Sequence, residues 1–199
     1  IAFMFTALRY LPLADAVAIA FVMPFLMLIL GKYVLNEEVG LRRLMACVVG
    51  FAGTLMVIQP SFVEVGAPAL LPLGVAVIFA LFMLVTRQIA KVTDPIGLQA
   101  VNGVMALVMI APVLLIFQSR EFAELHVIEL SQTQIWLLLL FGLTGTAAHL
   151  VMTCSLRYAP SSTTAPLQYL EIPIATVIGW LIFFDPPNPI ASLGIMVII

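Results

Sequence analysis

The sequence predicts an all-α membrane protein, a helical bundle built on an inverted repeat. Three observations predict it. Apolar residues make up 63% of the 199-residue chain and charged residues only 9%, whereas about a quarter of a soluble domain is charged. So few charges cannot cover a soluble surface, and the mean hydropathy of +1.21 likewise makes lipid the solvent for much of the chain. The apolar residues gather in long runs without polar/apolar alternation, which favours helices over strands in a bilayer. Finally, one short motif occurs twice, an odd number of crossings apart.

Six full apolar runs are expected to span the membrane, at 16–35, 43–60, 68–88, 96–117, 135–156 and 163–184. Before and after them the chain opens on IAFMFTAL and closes on IASLGIMVII. Each is shorter than the ~20 residues a span needs, so both ends are expected to cut through spanning helices. The opening run has neither the basic start nor the small-residue cleavage site of a signal peptide. The connectors carry turn chemistry: NEEVG, QPSFVEVGAP, KVTDP, QSREFAELHVIELSQTQ, RYAPSS and DPPNP. The longest has room for a short amphipathic surface helix at 121–130.

Basic residues set the orientation. Lys32, Arg42, Arg43, Arg87, Lys91 and Arg157 flank the first, third and fifth connectors, against Arg9 and Arg120 on the other side. The positive-inside rule then places those three connectors in the cytoplasm and the protein in the inner membrane as a multi-pass protein. Trp136 and Trp180 fall near the outer interface, where amphipathic rings are favoured. A net charge of −2 offers no basic patch for phosphates and excludes nucleic acid as a partner. Cys47 and Cys154 lie in apolar runs, and no ligand cluster surrounds them, so neither a metal nor a cofactor is expected.

ALRYLP at 7–12 returns as SLRYAP at 155–160, and each copy leads into a long apolar run. Gly31 and Gly179 keep the same spacing, Pro24 and Pro173 nearly do, and Glu37 and Asp185 follow the two runs at matching positions. Five crossings separate the copies, so the second faces the opposite way, the plan many secondary transporters use for alternating access.

ALRYLPLADAVAIAFVMPF, a following glycine, LNEEVGLRR and VGFAGTLMVIQP resemble the first EamA-type repeat of the drug/metabolite transporter superfamily. SLRYAPSSTTAPLQYLEIPIATVIGWLIFFDPPNP resembles the matching part of the second, although FFDPPNP stands where the family more often has a Gly-Glu pair. The resemblance implies a fragment of a ten-helix transporter: residues 1–60 as the end of the first repeat and 67–199 as the second, truncated in its last helix. It also implies a central path for a small-molecule substrate, often exported, and leaves room for a homodimer.

Among candidate site residues Glu171 is the most informative. It lies about eight residues into the last full run, roughly 12 Å deep at 1.5 Å per residue. A carboxylate at the bilayer centre costs on the order of 2.5–3.5 kcal/mol and needs a partner or a wet cavity. It would bind a cationic group or a proton there, or else tie two helices together. Thr164 and Gln168 share its helix face. Pro166 and Pro173 flank it, and Pro24 lies in the first run; each removes a backbone donor and marks either a broken helix or a static kink. His149 enters from the same side to a similar depth and is a candidate proton-responsive partner of Glu171, the alternative being a bond to a backbone carbonyl. Asn102, with Gln99 a turn earlier, offers a substrate hydrogen bond or a bond to another helix. Gly50, Gly53, Gly142 and Gly145 would let helices approach closely. Ser161 and Ser162 read as helix-capping residues.

Two other classes remain. An intramembrane enzyme would need a nucleophile with its base or a metal cluster, and no Gly-x-Ser-x-Gly, His-Glu-x-x-His or paired intramembrane aspartates occur. A channel would want a ring of like polar residues, which a lone Glu171 does not supply. A structural membrane subunit is the third alternative.

Overall fold

The computed structural model describes residues 2–61, 66–116, 130–184 and 186–199. Among the described residues the secondary structure is helical, with no strands. The helices are α1 (Ala2–Ala7), α2 (Leu13–Ala20), α3 (Met23–Val34), α4 (Leu41–Ile58), α5 (Leu70–Ala90) and α6 (Pro95–Ile116), followed by α7 (Gln132–Tyr158), α8 (Ser161–Leu167), α9 (Glu171–Phe183) and α10 (Pro189–Ile198). Short 3₁₀ turns occupy Ala67–Ala69 and Gln168–Leu170. Six stretches are long and apolar enough to cross a membrane: Leu13–Val34, Leu41–Ile58, Ala67–Ala90, Pro95–Pro112, Gln132–Tyr158 and Ser161–Phe183. They fall within a few residues of the expected runs. The expected surface helix lies almost wholly outside the described residues.

The chain forms two units, Ile1–Arg87 with Ala159–Ile199, and Gln88–Tyr158. The second unit is the α6–α7 hairpin. Large apolar side chains such as Leu107, Val108, Leu140 and Phe141 stay exposed on it, as a surface solvated by acyl chains would leave them.

In the first unit helix starts recur at the spacing of the repeated motif. Leu13 and Ser161, Met23 and Glu171, and Leu41 and Pro189 each begin a helix, and each pair keeps the 148-residue separation of Phe21 and Tyr169. The residues before α2 and α8 are Pro12 and Pro160, with φ −55° and −59° and ψ 145° in both. Proline fixes that φ and disfavours helix in the residue before it, so each LRYxP corner stops one helix and starts the next. Asn36 and Phe184, equivalent positions, both turn the chain through the left-handed region, at φ 52° and 56°.

Both long spans of this unit are broken. The first interrupts at Phe21–Val22, between α2 and α3, where the Phe25 amide bonds to the Val22 carbonyl in a tight turn. The second passes through the 3₁₀ turn at Gln168–Leu170. Pro24 sits just after the first break, Pro166 just before the second and Pro173 just after it, so each lies at the edge of its break. Pro24 and Pro173 fall in the first turn of a half-helix, where the missing N–H costs nothing.

The two breaks meet. The Tyr169 hydroxyl donates to the Phe21 carbonyl at 3.1 Å, and the two rings stack with centroids 6.1 Å apart. Phe51 of α4 closes on Tyr169 at 6.4 Å, and Gly50 leaves the space the tyrosine ring fills. Tyr169 is fully buried.

Hydrogen bonds fix the direction of each element. At one end of the unit Asp15, near the start of α2, accepts from the Ser61 amide at 2.7 Å, and the Gln59 Nε2 donates to Asn188 Oδ1 at 2.9 Å. At the other end Glu37, beyond α3, meets Ser161 and Ser162 at the start of α8. The α2–α3 span therefore runs toward the Glu37 end and α8–α9 runs away from it. Helices α4 and α10 are antiparallel too, with Gly53 against Gly194: a Cβ on either would fall 2.7–2.8 Å from the other's carbonyl oxygen. Such glycines let backbones touch where lipid supplies no hydrophobic drive.

Candidate functional site

Glu171 is the first residue of α9, immediately after the second break. Its amide is bonded back into the Gln168–Leu170 turn, so the chain passes from the 3₁₀ turn into α9 without leaving helical conformation. Its side chain is exposed and makes no hydrogen bond or ion pair among the described residues. Gln168, one turn earlier, donates from Nε2 to the Met27 sulfur of α3 at 3.2 Å, while its Oε1 is buried and accepts no bond among the described residues. Thr164 turns its hydroxyl onto the Ser161 carbonyl at 3.1 Å within its own helix. The polar stripe therefore splits by role. Thr164 satisfies itself, Gln168 ties the 3₁₀ turn to α3 through its Nε2 while its Oε1 accepts no bond among the described residues, and Glu171 makes no polar contact with a described side chain.

His149 and Asn102 belong to the second unit. His149 is half-buried in α7, and its carbonyl accepts from the Thr153 hydroxyl at 2.9 Å. Asn102 is half-buried in α6, and Gln99, a turn before it, has a buried Oε1 with no donor among the described residues. Of the glycines expected to let helices meet, Gly50 and Gly53 do so; a Cβ on Gly142 or Gly145 would meet nothing within 4 Å. No group of three or more His, Cys, Asp or Glu able to hold a metal ion occurs among the described residues.

The densest polar cluster was not among the sequence candidates. Glu37 stands in the α3–α4 connector with its side chain only 10% exposed. Its Oε2 accepts from the Ser162 amide at 2.8 Å and the Ser161 hydroxyl at 2.9 Å, and its Oε1 accepts from the Ser161 amide at 3.1 Å. Arg87 Nε of α5 closes on Oε1 at 3.4 Å. Arg43 of α4 donates to the Ser162 hydroxyl at 2.8 Å and to the Glu38 carbonyl. Ser161 and Ser162 therefore do not cap α8 with their own oxygens: a carboxylate 124 residues away takes the free amides instead. A carboxylate is the stronger acceptor and outcompetes the local hydroxyl. Burial alone would raise the Glu37 pKa; the hydrogen bonds from Ser162 and Ser161 outweigh it and hold the group below its ordinary value. The signal for this residue was its match to Asp185 at the repeat spacing, which lies outside the described residues.

A model of the EamA-like transporter family matches residues 1–59 and 67–199. Among curated proteins, the chain is 25% identical over 183 residues to a riboflavin transporter of Brucella anthropi, covering 92% of this chain and 63% of that protein. It is 26% identical over 195 residues to a riboflavin transporter of Vibrio cholerae, covering 97% and 62%. It is 23% identical over 188 residues to an S-adenosylmethionine uptake transporter of Rickettsia prowazekii, covering 94% and 61%. The chain thus spans about three fifths of the length of these relatives. A solved crystal structure superposes with a TM-score of 0.80 at 18% identity, covering 98% of this chain and 67% of that one, and shares the fold.

Proposed function

Because the chain belongs to the EamA-like transporter family, a family of multi-pass membrane proteins, we propose that the full protein is a secondary transporter moving a small metabolite across the inner membrane by alternating access. The observation that carries this reading is Glu171: an exposed carboxylate in mid-span, at the start of a half-helix, with no partner among the described residues. Interrupted helices with an ionisable group near the midplane recur in transport paths and have no evident use in a structural subunit. Two halves, 1–60 and 67–199, used head-to-tail, supply the rocking elements. Glu171, Gln168 and Thr164 line the path, and His149 and Asn102 are the candidate polar groups of the second unit. In it Glu171 takes the substrate's cationic group or a proton, and Pro24, Pro166 and Pro173 keep the helices broken.

Named relatives carry riboflavin and S-adenosylmethionine, so these are the first probes. Export is the direction the wider family suggests, whereas the Rickettsia relative is named for uptake. The test is the full-length protein in liposomes, loaded or bathed with radiolabelled riboflavin or S-adenosylmethionine, with and without a pH gradient. Saturable flux of either probe, reduced at least tenfold by Glu171→Gln, is expected. Flux unaltered by that substitution would remove Glu171 from the mechanism, and flux equal to empty liposomes for a broad metabolite panel would favour a structural subunit.

A further inference from the structure

The two broken spans resemble a pair of crossed levers. They touch at their breaks, through Tyr169 and Phe21. On one side of that crossing lie α3 and α8, packed against each other. The far tips of this pair are joined by the Glu37 carboxylate. Gly31, in the last turns of α3, leaves room for the joint: a Cβ there would come within 3.1 Å of both the Glu37 Oε2 and the Ser161 hydroxyl. The Glu37 amide also bonds back to the Gly31 carbonyl at 2.9 Å, which turns the carboxylate toward α8.

We propose that Glu37 is a releasable pin that closes the arginine-bearing end of the first unit, so that α3 and α8 part about the Phe21–Tyr169 crossing only when the carboxylate lets go of α8. This inference rests on the alternating-access reading and adds to it the place where one end is locked. Three features separate a pin from an ordinary cap. The carboxylate and the amides it holds come from opposite copies of the repeat. All its donors from α8 lie in one turn, Ser161–Ser162, so they release together. Arg87 and Arg43 remain beside the released groups, on α5 and α4, and offer the freed carboxylate and the freed Ser162 hydroxyl alternative partners.

The test uses the full-length protein in membranes, with Cys47 and Cys154 replaced by alanine and one reporter cysteine added. Ala165→Cys reports on the sealed α8 tip, and Ala191→Cys reports on the opposite end; both alanines are buried. Labelling by a membrane-impermeant maleimide from the arginine-bearing side is expected to be slow at position 165 and to quicken about tenfold or more with Glu37→Gln, with position 191, labelled from the opposite side, unchanged. If Glu37→Gln does not fold, Ser161→Ala, which removes one donor and leaves the amides, should quicken labelling at 165 about threefold. No change at 165, or an equal rise at 165 and 191, would overturn the pin. Labelling needs no substrate, so a protein that carries neither riboflavin nor S-adenosylmethionine still tests the pin, and unaltered labelling in a protein that does carry one removes the pin alone.

Discussion

Gly50 has no side chain because the ring of Tyr169 occupies its place. A Cβ there would lie 2.5 Å from the ring edge, so Gly50→Ala should lower stability by about 1–3 kcal/mol through overpacking, read as a fall in the thermal midpoint of the detergent-solubilised protein. Tyr169→Phe keeps the stacking and removes the donor to the Phe21 carbonyl; a buried acceptor left open costs about 1–3 kcal/mol, and the same melting assay should show it. Glu37 gives a prediction in pH. Its carboxyl is held below the ordinary value of 4.5 by Ser161 and Ser162, so the bonds contribute fully above that value and are lost as pH falls through the lower, folded-state value. Labelling at position 165, taken at each pH as a ratio to the same cysteine in unfolded protein so that the thiolate fraction cancels, should therefore stay flat from pH 8 down to about 5 and rise only in more acidic buffer. A rise already at neutral pH would contradict the depressed carboxyl.

At the scale of elements, most of the fold was legible. Long apolar runs report helices because bilayer thickness fixes their length, and the observed spans begin and end within a few residues of the expected ones. The LRYxP corners were legible because proline acts locally on its own φ and on its predecessor. The breaks were half-legible: Pro24, Pro166 and Pro173 marked their edges, but nothing in the sequence says that one break will lie on the other. The partners of Glu37 were illegible for the same reason, since a contact over 124 residues leaves no periodicity. The α4–α10 crossing was legible on one side only, in Gly53; Gly194 lies in a run too short to read as a span. That crossing predicts that Gly194→Ala, which drives a methyl into the Gly53 carbonyl, lowers the thermal midpoint, while Gly103→Ala in α6, where a Cβ meets nothing within 4 Å, leaves it unchanged or slightly raised.

For the whole molecule, the topology follows from which connectors share an end. Glu37 ties the connector after α3 to the start of α8 and the end of α5, and all three segments carry or adjoin basic residues. Ser61 and Asn188 mark the opposite end with Asp15. Single cysteines at Glu38 and at Ser61 should therefore be labelled from opposite sides of the membrane in intact cells or oriented vesicles, with Glu38 cytoplasmic. Labelling of both from one side would contradict the orientation.

Phe21 and Tyr169 occupy the same place in the two copies, and they touch each other. Any contact of that kind sits on the axis exchanging the copies, and an axis has no second location. Were the copies separate identical chains, the pair would be two tyrosines or two phenylalanines, with both hydroxyls or neither. Joining them in one polypeptide lets the pair become unequal: a single hydroxyl reaches from one half to the backbone of the other, and a mirror-like joint acquires a left and a right.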